Sequence, residues 1–155
     1  LIPLTVRNAL SNQALPIYGN GLQQRDWVYV KDNVQAIHLA LVNGEPNSIY
    51  NIGVGLPKTT IEIVETICKI LSKETGIDEQ KLLHRIAYVP DRPGHDRRYA
   101  MTFTNISKIG WSPQIDFNNG LRHTIRWHLD HPEWKDNTGQ DYAEYYRKVN
   151  LKQDA

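Results

Sequence analysis

The stretch from Thr59 to Gly76 constrains the fold most, because its pattern admits only a helix. Thr59 followed three residues later by Glu62 makes a capping box, and Ile63, Ile67, Ile70 and Leu71 continue one apolar face. Gly76 is the stop. Short extended patterns surround this helix: Leu15 to Tyr18, Asp26 to Val30, Ser48 to Ile52, and Arg85 to Val89. Strands alternating with helices argue for an α/β or α+β arrangement, and α/β is the reading adopted.

Other helices are predicted around this one. Residues 3 to 12 read as a helix with Pro3 in its first turn, where a missing N–H costs little. Asp32 is placed to cap a helix from about Asn33 to Val42, with Val34, Ile37, His38 and Leu41 on one stripe. A short helix is expected from Asn105 to Ile109, ended by Gly110. The last, roughly Asn118 to Leu129, carries Leu121, Ile125 and Leu129 at four-residue spacing. From His131 onward the chain is polar and tyrosine-bearing, and its order is expected to come from contact with something else.

A chain of 155 residues suffices for one domain with a real core. The 18 Lys plus Arg against 17 Asp plus Glu leave a net charge of +1, too little field to argue for nucleic acid or an anionic membrane. Anion binding must come from a local cluster. The single cysteine, Cys68, sits in an apolar run and reads as a small buried hydrophobe; with no disulfide possible, a reducing, cytoplasmic setting is expected. No apolar stretch reaches the ~20 residues of a bilayer span. The chain opens on Leu1-Ile2-Pro3-Leu4, and its only Met is Met101, so it reads as starting inside a larger protein.

Two stretches carry candidate chemistry. In Asp91-Arg92-Pro93-Gly94-His95-Asp96-Arg97-Arg98-Tyr99-Ala100, Pro and Gly fix a loop that presents three arginines and a histidine within seven residues. Guanidinium forks suit a diphosphate, which needs more than one such donor. Composition alone favours a solvated basic turn, its charge offset by Asp91 and Asp96. In the second stretch Tyr18, beside rigid Pro16 and Ile17, is a flat ring that could flank a nucleobase, and Arg25 could reach a phosphate. The plainer reading is a glycine turn between short strands, with Trp27 and Tyr29 in the core.

Other patterns carry less. Gly19-x-Gly21 and Gly53-x-Gly55 lack the third glycine of a dinucleotide fingerprint, since Gln24 and Lys58 stand there, and the first runs into an extended segment. His123, His128 and His131 do not have zinc spacing, and exposed helix histidines are the better reading. Asp26 and Asp32 read as strand-end and helix-cap residues.

The order LIPL, LPIYGNG, RDWVYV, YNIG, DRPGHDRRYA and GWSP resembles the dTDP-glucose 4,6-dehydratases, a family of extended short-chain dehydrogenase/reductases. The likeness runs from Leu1 to about Trp134, leaving 135–155 as an unmatched polar tail. RDWVYV and YNIG are shared with many nucleotide-sugar enzymes, whereas DRPGHDRRYA is much closer to this family and overturns the solvated-turn reading. The resemblance implies a two-part protein in which an N-terminal Rossmann domain, absent from this chain, binds NAD. This chain then corresponds to the C-terminal substrate-binding region, with one strand and one helix that would complete the missing Rossmann domain. The family oxidises the 4-hydroxyl of dTDP-glucose, eliminates water across positions 5 and 6, and returns the hydride to position 6, giving dTDP-4-keto-6-deoxyglucose with NAD regenerated.

Position by position, the likeness places Leu1, Ile2, Pro3, Leu4 and Thr5 in the segment lining the nucleotide site. Pro16, Ile17 and Tyr18 resemble residues around the thymine and deoxyribose, and Arg25 and Arg92 the diphosphate clamp. Asp91, Pro93, Gly94 and His95 complete a second substrate loop. Thr60 stands where the family often has asparagine, which weakens a contact from that position. None of the eight tyrosines is followed four residues later by Lys, so the family's Tyr-x-x-x-Lys pair is not here, and the chain alone is expected to catalyse nothing. No metal is implied. The family implies a dTDP-sugar as partner and a homodimer built largely by helices outside this chain. The alternatives are the same region of a UDP-sugar epimerase or decarboxylase, and a free-standing nucleotide-binding module.

Overall fold

The structure is a computed structural model, and it describes residues 1–134. The tail expected at 135–155 lies outside the described residues. Among the described residues eleven elements follow in order: α1 (Ile2–Leu10), β1 (Leu15–Tyr18), β2 (Gln24–Arg25), α2 (Val30–Asn43), β3 (Lys58–Thr59), α3 (Thr60–Thr75), α4 (Glu79–Leu83), β4 (Ile86–Val89), β5 (Arg98–Tyr99), α5 (Thr104–Lys108) and α6 (Phe117–Asp130).

The fold is organised around α3. Its capping box is complete, with the Thr59 hydroxyl accepting from the Glu62 N–H and Glu62 accepting from the Thr59 N–H at 2.7 Å. Gly76 closes it in the left-handed conformation. The buried face of α3 (Ile63, Val64, Ile67, Cys68, Leu71) meets Val6 and Ala9 of α1, Leu82 of α4, and Leu121 and Ile125 of α6. In β1, Leu15 and Ile17 point into this core and alternate with the partly exposed Pro16 and Tyr18, as a half-buried strand requires.

β1 pairs in parallel with β4, from Leu15 opposite Ile86 to Tyr18 opposite Val89. A parallel pair needs a long crossover, which α3 and α4 supply. A second small sheet has β2 at its centre, antiparallel to β3 and parallel to β5. A separate cluster of Ala36, Ile106 and Trp111, with Tyr50, Ile52 and Phe103 against it, holds α2 to α5.

Several expectations are corrected. The extended pattern at Asp26 to Val30 makes no strand: β2 ends at Arg25 and α2 begins at Val30. Asp32 does not cap α2. It lies inside the first turn, buried, and its carboxylate accepts the backbone N–H groups of Gln114 and Ile115 at 3.1 and 3.0 Å. Two donors satisfy a buried carboxylate better than one cap contact at a solvent-facing helix end. Asp26 does more than end a strand, since its carboxylate accepts from the N–H groups of Val54 and Gly55.

The apolar stripe of α2, on the helix expected to pack against the missing Rossmann domain, faces outward, as that expectation requires. Val34, Ile37 and Leu41 are 56%, 55% and 82% exposed, while Ala36 on another face is buried. Ser48 to Ile52 forms no strand; among the described residues it has no strand beside it to supply a ladder, and Ile49 is 76% exposed. α4 and β5 were not expected. α4 is a single capped turn started by Asp78, and β5 is two residues whose extended form is set by pairing with β2.

Candidate functional site

Because β1 and β4 run parallel, the turns that leave Tyr18 and Val89 emerge side by side. Ligands of open α/β sheets gather at such carboxyl ends. The Gly19 N–H bonds the Val89 carbonyl at 2.9 Å, which draws the turn after β1 against the loop after β4. Gly19 has a φ of +57°, and a Cβ there would stand 2.8 Å from the Asp91 carboxylate, so only glycine permits the approach.

Asp91 is the organising residue of the loop. One carboxylate oxygen accepts from the Gln23 side-chain amide at 2.9 Å. The other accepts from the Arg92 N–H at 2.9 Å and pairs with His95 Nδ1 at 2.6 Å. The His95 hydrogen bond, followed by those of Arg92 and Gln23, holds the Asp91 carboxyl below its ordinary value. Tyr18 meets the His95 ring edge-on, with centroids 6.3 Å apart. Gly94, at a φ of +69°, makes the reversal that returns His95 to Asp91.

Arg25 sits on the neighbouring sheet. β2 and β5 place it opposite Tyr99, and its guanidinium lies 4.4 Å from the centre of that ring. It donates to the Gln24 carbonyl at 2.7 Å and to the Asp96 carbonyl at 3.0 Å. The Tyr99 hydroxyl donates to the Asp96 carboxylate. Thr60, the first residue of α3, donates its N–H to the Gln23 carbonyl at 3.0 Å, with its hydroxyl 3.4 Å from the same oxygen.

The charge balance follows from these contacts. Among the described residues, Arg25, Arg92, Arg97 and Arg98 have no carboxylate within ion-pair distance. The two acids of the loop are engaged elsewhere, Asp91 by His95 and Gln23, and Asp96 by Tyr99. Four guanidinium charges therefore stay unneutralised along β2, the loop and β5. That arrangement can take an anion with several oxygens.

The residues singled out from the sequence divide accordingly. Tyr18, Arg25, Asp91, Arg92 and His95 come together with the turn residues Pro93 and Gly94, and Thr60 lies against β2. Ile17 is fully buried in the core, so its side chain packs instead of facing a ligand, and only Pro16 and Tyr18 of that strand leave it. Thr5 is buried too, its hydroxyl tied to the Leu1 carbonyl at 3.1 Å. Leu1, Pro3 and Leu4 remain at least partly exposed, and Ile2 faces a separate cleft of roughly 230 Å³ with Trp27, Tyr29 and Phe117. Gln23 and Tyr99 were missed as site residues. Gln23 stands within the matched stretch from Leu15 to Val30 and Tyr99 within the arginine motif, but neither carries a local sign of the contact it makes.

Other chemistry finds little support in these residues. Burial pushes the Cys68 thiol up to about 11, which suits a core residue and not a nucleophile. Among the described residues no three His, Cys, Asp or Glu side chains gather to hold a metal. His123 packs against Tyr29 and His131 stacks on Trp127. No helix among the described residues is long and apolar enough to cross a membrane. Neither glycine pair opens a helix as a dinucleotide turn does: Gly19-x-Gly21 leads into β2, and the N–H groups of Val54 and Gly55 are taken by the Asp26 carboxylate.

Comparison with known proteins identifies the family. The family model described as GDP-mannose 4,6 dehydratase matches residues 1–124. The chain is 46% identical over 138 residues to dTDP-glucose 4,6-dehydratase 1 of Escherichia coli (strain K12), covering 88% of this chain and 38% of that protein. It is similar to the crystal structure of dTDP-glucose 4,6-dehydratase from Bacillus anthracis str. Ames in complex with NAD, at 41% identity and a TM-score of 0.76, covering 86% of this chain and 40% of the other. UDP-glucose 4-epimerase from Thermotoga maritima with UDP-glucose is similar at 28% identity and a TM-score of 0.72, with 83% and 39% covered. The chain thus spans about two fifths of the length of the relatives it matches.

Proposed function

The chain belongs to the family of GDP-mannose 4,6 dehydratase, and from that premise we propose that it is the nucleotide-sugar-holding part of a dTDP-glucose 4,6-dehydratase. The carrying observation is the set of guanidiniums left without carboxylate partners on β2, on β5 and on the loop whose His95 meets Tyr18. Arg25 and Arg92 bind the diphosphate, Tyr18 and Pro16 flank the thymine end, and the Asp91–His95 pair fixes the loop that carries Arg92. Thr60, at the start of α3, ties that helix to the Gln23 carbonyl.

In the complete protein the binding energy gathered here holds the glucose end in place for reaction. NAD, when bound by the remaining part of the protein, accepts and returns the hydride. The acid–base groups are supplied by that part as well, so the chain alone turns nothing over. The outward apolar face of α2, together with the segment around Ile49, is covered by the NAD-binding part, and the complete protein is a homodimer.

The complete protein, given dTDP-glucose and NAD, is expected to yield a dTDP-sugar lighter by one water, read by mass spectrometry, without net reduction of NAD. An epimerised sugar of unchanged mass, or equal turnover of UDP-glucose, contradicts the reading and favours the epimerase alternative.

A further inference from the structure

We propose that Tyr99 is a positioning residue that keeps the Arg25 guanidinium available to a phosphate by occupying the Asp96 carboxylate. The inference rests on the nucleotide-diphosphate reading of the site and extends it to a residue which that reading leaves without a role.

Arg25 and Asp96 are already in contact, but through the wrong group for charge neutralisation: the guanidinium takes the backbone carbonyl of Asp96. The carboxylate of the same residue is turned to the Tyr99 hydroxyl. An arginine beside a free carboxylate forms a two-pronged ion pair, and that pair competes directly with a phosphate for the same N–H groups. Tyr99 prevents it on two sides. Its ring lies beneath the guanidinium, in a register fixed by the pairing of β2 with β5. Its hydroxyl holds the competing acid.

The surroundings agree with a positioning role. Tyr99 is 55% exposed, so its ring is not committed to the core. The neighbouring Asp96 raises the pKa of the phenol above its ordinary value, so it remains a protonated donor at neutral pH. Asp91, the other acid of the loop, is engaged by Gln23, Arg92 and His95 and does not need Tyr99.

The test measures dTDP and thymidine affinity by calorimetry in the complete protein that carries this chain, for wild type, Tyr99→Phe, Asp96→Asn and the double variant. Phenylalanine keeps the ring and frees the carboxylate. Y99F is expected to weaken dTDP by about fivefold, the scale of one charge-assisted contact at a partly exposed site, and to leave thymidine unchanged. Adding D96N removes the competing charge and is expected to restore dTDP affinity. Wild-type dTDP affinity in Y99F, or a double variant as weak as Y99F, overturns the inference while the diphosphate reading stands. A wild-type protein that binds dTDP no better than thymidine overturns both.

Discussion

The Gln23 side-chain amide reaches the Asp91 carboxylate at 2.9 Å, joining residues 68 positions apart. Gln23 is only 7% exposed and also offers its backbone carbonyl to the N–H that starts α3. One residue therefore ties the arginine loop to the first turn of the central helix. Gln23→Leu preserves size and removes the donor. The expected result is dTDP affinity lower by roughly fivefold, from one net hydrogen bond. Affinity equal to wild type would show that His95 and Arg92 hold Asp91 without help.

Asp32 couples α2 to the segment before α6. Its carboxylate is the acceptor for the N–H groups of Gln114 and Ile115, and its carbonyl accepts from the Trp111 indole at 3.0 Å. Asp32→Ala strands two donors and is expected to cost about 2–4 kcal/mol of unfolding free energy. Asp32→Asn keeps an acceptor and costs less. Urea unfolding checks both, and an unchanged midpoint in D32A contradicts the assignment.

The exposed face of α2 sets the behaviour of the chain on its own. Val34, Ile37 and Leu41 line a helix face open to solvent, and Ile49 lies exposed nearby in sequence. A surface of this kind invites association. The isolated chain is expected to be marginally stable or to aggregate, and Val34→Lys with Leu41→Lys to raise its solubility. The same pair is expected to destabilise the complete protein, read as a lower melting temperature. A cooperative melt of the isolated wild-type chain at ordinary temperature contradicts this.

Acid should loosen the caps and the loop in a defined direction. Glu62 is held below its ordinary 4.5 by the Thr59 N–H and hydroxyl, Asp116 below 3.8 by Asn119, and Asp91 below 3.8 by His95. The folded protein therefore binds fewer protons than the unfolded chain in this range. Their contribution is complete above those ordinary values and disappears as the pH falls through the lower folded-state values. Glu62→Gln is expected to flatten the pH dependence of urea stability in the acid range. An undiminished slope in E62Q assigns it to other carboxyls.

The parts of the fold visible in the sequence are those decided locally. The α3 helix needed only Thr59, Glu62, its apolar stripe and Gly76, and α6 only its four-residue spacing. β1 was legible from the alternation of Leu15 and Ile17. What misled was tertiary. Asp32 looked like a cap because the N–H groups it satisfies lie more than 80 residues away. The stripe on α2 was legible as an apolar face, but its burial needs a surface that residues 1–134 do not supply. β5 is extended because β2 is beside it, and Gln23 matters because Asp91 is there; neither relationship has a local signature. The arginine motif was legible as a candidate site, but not its charge balance, which depends on where Asp91 and Asp96 turn.

The most direct test of the diphosphate site is an amide NMR titration of the complete protein with dTDP and, separately, with UDP. Shifts centred on Tyr18, Arg25 and Arg92 with dTDP, and smaller ones with UDP, are the predicted result. Dispersed resonances that move for neither nucleotide, or equally for both, would contradict the account.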